Sequence, residues 1–121
     1  MPATSSDNTP RSLLNGAYTD AQRKSGMALF LKQCSSCHGE QLRGGESAPA
    51  LRGADFRMRW HGLTLADLMQ KVMVMPPNSS GELAPEENAS LIAVILAFNG
   101  FPSGRVELPS GINQLRQIHF E

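Results

Sequence analysis

Both cysteines of the chain fall in one short run, Cys34-Ser35-Ser36-Cys37-His38. Several chemistries use a thiol pair at this spacing. A structural zinc site needs about four ligands, and the remaining histidines, His61 and His119, stand at no finger spacing. Thioredoxin-like exchange wants the pair opening a helix after a strand, whereas here it closes a helical stripe. A disulfide across two residues would be strained and would staple almost nothing. What remains is C-x-x-C-H, the attachment signature of haem c. Each thiol adds to one haem vinyl group, and the adjacent histidine is held under the iron as its proximal ligand. The run therefore assigns Cys34, Cys37 and His38 to one covalent haem.

The elements that must position these side chains read as all-α with long loops. Thr19-Asp20-Ala21-Gln22 fits a capping box, and Met27, Phe30, Leu31 and Cys34 follow as an amphipathic stripe. His38-Gly39 ends that helix, and residues 40–55, rich in glycine and proline, read as loop. A second helix fits residues 64–74, with Thr64 and Asp67 in capping-box positions. Its stripe is Leu65, Leu68, Met69, Val72 and Met73, and Pro76-Pro77 stops it. A last helix fits residues 85–99, with Pro85 in the first turn and Asn99-Gly100 as the stop. Ala84 is a poor cap, so that entry is expected to fray. This helix is apolar on nearly every face (LIAVILAF). The reading is burial on both sides, with residues 106–121 as a cover, against the alternative of a partner-facing patch. No strand and no internal repeat is expected. The chain divides into an irregular arm (1–17), a haem domain (18–102) and a tail packed on or extending from it (103–121).

Composition agrees with a cofactor-supported core. At 121 residues the chain holds one domain with seven aromatic residues, and the macrocycle supplies apolar bulk that these do not. Lys+Arg and Asp+Glu balance at eleven each, so neither a nucleic-acid nor an anionic-membrane partner is implied. The charge is uneven, nine basic and six acidic residues in 1–75 against two and five in 76–121, an asymmetry able to orient a charged partner. The longest apolar run, 91–98, is too short to span a bilayer. The first residues are polar and show no secretory signal, so the chain as given is expected to be mature or trimmed. Haem attachment places it outside the bacterial inner membrane, in the periplasm.

At these residues the chain resembles class I, single-haem cytochromes c, over about residues 16–102. The resemblance runs through Gly16-Ala17-Tyr18-Thr19, Gly26 and Phe30, then CSSCHG, Leu42, Gly44, Ala48-Pro49-Ala50-Leu51, Gly53, Phe56 and Trp60. It closes with Met75-Pro76-Pro77 and Asn99-Gly100-Phe101-Pro102. It is most similar to periplasmic bacterial cytochromes that accept electrons from dehydrogenases. One departure is Val94, where such proteins often carry an aromatic; the contact of the last helix with Gly26 and Phe30 is expected to be looser, or filled from the tail. The resemblance implies that the Pro49 carbonyl accepts the proximal histidine's Nδ1–H, and that Leu51 packs on the haem face. Arg52, Arg57, Arg59 and Trp60 are candidates to meet the haem propionates, because a partly buried carboxylate needs donors or cations. Asn78, Ser79 and Ser80 either serve the same end or turn the loop.

The other axial position has as candidates the six methionines, His61, His119, or nothing. Met1 is terminal and Met27 sits on the first helix. Met58 lies between two arginines, and Met69 and Met73 belong to the second helix stripe. Met75 lies past that stripe, and a residue before proline is pushed into extended backbone, so Pro76-Pro77 stiffens the segment that presents its sulfur. The resemblance points the same way. With His38 and Met75 both on the iron no open site is left for substrate. The expected function is one-electron relay from a periplasmic dehydrogenase to a downstream cytochrome or oxidase, not catalysis. The alternatives are a haem subunit permanently bound to a dehydrogenase, and a five-coordinate haem sensor or peroxidase.

Overall fold

The structure, a computed structural model, describes residues 12–45, 48–75 and 82–120. Expectations placed on the arm before Ser12, on Pro76-Pro77 and on Asn78, Ser79 and Ser80 lie outside the described residues. The described chain is helical, with two isolated bridges and no strand. Its helices are α1 (Asp20–Gln33), α2 (Ser35–His38), α3 (Ala54–Trp60), α4 (Leu65–Met73), α5 (Pro85–Phe98) and α6 (Ile112–Leu115), preceded by a 3-10 turn (Leu13–Asn15).

The caps form as the residues dictate. Thr19 Oγ1 accepts from the Gln22 N–H at 3.2 Å, and the Thr19 N–H donates back to Gln22 Oε1 at 3.0 Å. Thr64 and Asp67 make the same reciprocal pair at the start of α4. Such a cap contributes about 1 kcal/mol to helix stability. At α5 the carboxylate of Glu87 accepts the Ala84 N–H at 2.8 Å, which serves an entry that alanine itself does not cap.

The central contact is α1 against α5. The buried column on α1 is Gln22, Gly26 and Phe30, whereas Leu31 is 46% exposed and Met27 only partly buried. The apolar stripe expected on α1 is therefore rotated, because its contact point is a glycine and not a hydrophobe. Nor is the crossing loose: Val94 is fully buried, and a Cβ on Gly26 would stand 2.9 Å from Val94 Cγ2. The smaller residue at 94 lets the helices close on each other. Leu91 through Leu96 are all buried, so α5 is apolar all round because it is enclosed all round. On α4, Leu65, Ala66, Leu68, Met69 and Val72 face the core, but Met73 is 46% exposed and does not continue the packing stripe.

Two ordered pieces lie where loop or arm was expected, and the tail takes the packed course of the two expected for it. The 3-10 turn, capped by Ser12, carries buried Leu13, and Ala17 and Tyr18 are buried just after it. Helix α3, entered from Gly53, buries Phe56 and Trp60. The chain after Phe101 wraps the domain: the Gly104 N–H donates to Tyr18 O at 2.6 Å, and Leu108 exchanges two hydrogen bonds with the Gln22 amide. Helix α6 then packs on α4, and Ile118 and Phe120 bond residues 63 and 65, burying Leu108, Leu115, Ile118 and Phe120. Among the described residues no helix is long and apolar enough to cross a membrane.

Candidate functional site

The two thiols are delivered by a single turn. The Cys34 N–H ends α1 by donating to Phe30 O at 2.8 Å, and the Cys37 and His38 N–H groups both donate to Cys34 O, at 3.2 and 3.0 Å. Neither cysteine is in a disulfide. Burial pushes the Cys34 thiol above its ordinary value, and nearby Cys37 adds to the push.

His38 is oriented by the loop that follows it. That loop folds back through Gly44, whose N–H donates to His38 O at 2.7 Å. Gly44 has φ +85°, and a Cβ there would meet Ala50 N at 2.6 Å, so a side chain would push residues 49–50 away. The return brings Pro49 O to 2.8 Å from His38 Nδ1. A carbonyl can only accept, so Nδ1 carries the proton and Nε2 keeps its lone pair as the coordinating atom. The contact also raises the basicity of the ring.

Both cysteines, His38, Pro49, Leu51, Trp60 and Met75 line one cavity of about 380 Å³. Helix α1 adds Phe30 and Gln33, α4 adds Leu68, Lys71 and Val72, and α5 adds Leu91 and Ile95. The apolar lining from these helices was not read from the sequence as a site. Its signal is two i, i+4 pairs, Leu68/Val72 and Leu91/Ile95, on helices whose apolar faces served equally well as core.

The two rival methionines are both partly exposed, Met73 at 46% and Met75 at 39%. Met75 lines the cavity, its N–H donating to Val72 O at 3.0 Å, and Met73 is not part of the lining. Met69 is buried in the core and Met58 is 77% exposed.

The three candidate arginines divide. Arg59 lines the cavity, together with Lys71. Arg57, expected at a propionate, is instead engaged elsewhere: it donates to Asn99 O and lies over the Phe101 ring. Arg52 likewise stacks on Phe98. Trp60 reaches the cavity while its indole N–H makes no protein hydrogen bond among the described residues.

Asn99, read from the sequence as a helix stop, is a bracket. Its buried amide donates to Leu51 O at 2.9 Å and Ile95 O at 2.8 Å, and accepts from the Gly53 N–H at 3.2 Å. It ties the cavity loop at Leu51 to the end of α5.

The arrangement fits haem c: an apolar cavity, two thiols on one turn, a tautomer-fixed imidazole, a thioether and cations. The family model described as cytochrome c oxidase, cbb3-type, subunit III, matches residues 21–95. A search of curated proteins finds no match. A solved structure that resembles this one is the sulfane dehydrogenase SoxCD from Paracoccus pantotrophus, at TM-score 0.57 and 21% sequence identity over 94% of this chain. The present chain spans 57% of the length of that chain. At that identity the likeness is one of fold.

Proposed function

The chain belongs to the cytochrome c oxidase, cbb3-type, subunit III family, and from that premise we propose that it is a His38/Met75-ligated single-haem carrier of electrons between periplasmic redox proteins. Membership makes it a c-type cytochrome domain, an electron-transfer protein. The ligation, the haem count, the compartment and the partners are the finer reading. Haem c, when bound, supplies a one-electron couple between Fe(III) and Fe(II).

The rest of the work falls to this chain's residues. Cys34 and Cys37 anchor the group through two thioether bonds, so it is not exchanged. His38, held by Pro49 O, donates from Nε2 with enhanced basicity. Met75 presents a thioether, a ligand that raises the potential relative to a second imidazole. Leu51, Leu68, Val72, Leu91 and Ile95 exclude water and favour the state of lower net charge. Arg59 and Lys71 offer cations to propionates, and the Trp60 N–H is a further donor. The observation that carries the reading is that His38 and Met75 line the same apolar cavity as both thiols.

The donor is proposed to be a periplasmic dehydrogenase, and the acceptor a cytochrome or oxidase. Likeness to a chain of SoxCD supports the variant in which this domain is a bound haem subunit of a dehydrogenase. Monomeric sizing of the haem-loaded chain at working concentration favours the free carrier.

The deciding experiment compares Met75→Ala with Met73→Ala in haem-loaded protein. Loss of the near-infrared sulfur-to-iron charge-transfer band and a lower midpoint potential are expected in the first variant alone. Loss in the second alone assigns the wrong sulfur, and a wild type without the band replaces the carrier by a five-coordinate sensor or peroxidase.

A further inference from the structure

The wall of the cavity at Trp60 is backed from far along the chain. Phe120, 5% exposed, sets its ring 6.0 Å from Phe56 at 80° and 6.0 Å from Trp60 at 47°. Phe56 and Trp60 are themselves 6.0 Å apart. Both backbone polar groups of Phe120 are fixed: its N–H donates to Leu63 O at 2.8 Å, and its carbonyl accepts the Gly62 N–H at 3.2 Å. The Leu63 N–H in turn donates to Trp60 O at 2.9 Å, so the turn that ends α3 also grips the tail.

Among the described residues no hydrogen bond holds the Trp60 indole, and two phenyl rings pack against it. Phe56 stands one turn earlier on α3 and moves with Trp60, whereas Phe120 is the aromatic contact from outside the helix. Aromatic pairs in tilted and edge arrangements carry orientation as well as burial.

We propose that Phe120 is a positioning residue of the cavity, setting the Trp60 indole in the wall and, through it, the exclusion of water from the bound cofactor. The inference rests on the haem reading above. Loosening the ring admits water, and a wetter pocket favours the more highly charged oxidised state.

Trp60 is the only tryptophan in the chain, so its emission, quenched by nearby haem, reports its own position. The test compares haem-loaded wild type with Phe120→Ala, Phe120→Leu and Leu115→Ala, reading tryptophan emission and midpoint potential. Phe120→Ala is expected to raise emission severalfold and lower the potential. Phe120→Leu, which keeps most of the volume but not the ring edge, is expected to move both less, in the same direction, and carries the test if the alanine variant does not accumulate. Leu115→Ala shortens a buried side chain of α6, the tail helix packed on α4, while keeping all three rings, and is expected to lower stability while leaving both readouts in place. Wild-type readouts in both Phe120 variants, or equal shifts in Leu115→Ala, overturn the proposal. A wild-type chain whose mass shows no covalent haem overturns the haem reading itself.

Discussion

Gly26 and Ser90 meet backbone to backbone across the α1–α5 crossing: a Cβ placed on Gly26 would lie 2.0 Å from the Ser90 carbonyl oxygen. Real atoms do not approach so closely, so any side chain at 26 drives the helices apart. Gly26→Ala is expected to destabilise the fold by about 3 kcal/mol, the upper range for overpacking. Urea unfolding checks it, and because the cavity lies between the same helices, the haem-loaded absorption spectrum should broaden as well.

Arg57 and Arg59 share a short helix but face different neighbours, and their variants should separate. Arg57→Ala removes the bond to Asn99 O and the stacking on Phe101. It should cost about 1 kcal/mol, the exposed guanidinium limiting the loss, and leave the potential where it was. Arg59→Ala, on the cavity lining, should leave stability nearly intact and lower the midpoint potential. Paired denaturation and redox titrations distinguish the two.

Tyr18 predicts an alkaline limit. Its hydroxyl donates to Phe101 O at 2.5 Å, and burial, reinforced by Asp20 and opposed by Arg23, raises its pKa above the ordinary value of 10.0. Above that value the unfolded chain releases the proton while the folded chain retains it, so the unfolded state binds fewer protons and stability falls with rising pH. The contribution is whole below the unfolded pKa and is lost as pH climbs through the folded one. Tyr18→Phe should cost about 1 kcal/mol at neutral pH and flatten this alkaline slope, measured by urea titration at several pH values.

What was legible in the sequence is what a few neighbouring residues decide among themselves. The boxes at Thr19 and Thr64 close within four residues, and both helices start where the letters place them. The all-α class followed from helical stripes without strand signals. What was not legible depends on a partner far along the chain. The buried column of α1 turns on Gly26, which has no hydrophobicity to detect. Met73 looked like the end of a stripe, but α4 stops packing at Val72. Helix α3 follows a glycine that offers no side-chain cap, so its start carries no capping signal. The tail from Gly104 onward packs by pairing with residues 18, 22, 63 and 65, contacts that no window of sequence contains.

The three bonds of the Asn99 amide bear finally on how the protein breathes. Leu51 O, Ile95 O and the Gly53 N–H share one side chain as partner, so the cavity loop cannot lift without breaking with the last turn of α5. The two segments should open as a single cooperative unit. In hydrogen exchange the Gly53 and Asn99 amides are expected to share one opening free energy in the wild type. Asn99→Ala should let them part, with the Gly53 amide exchanging at loop rates and the α5 amides still protected.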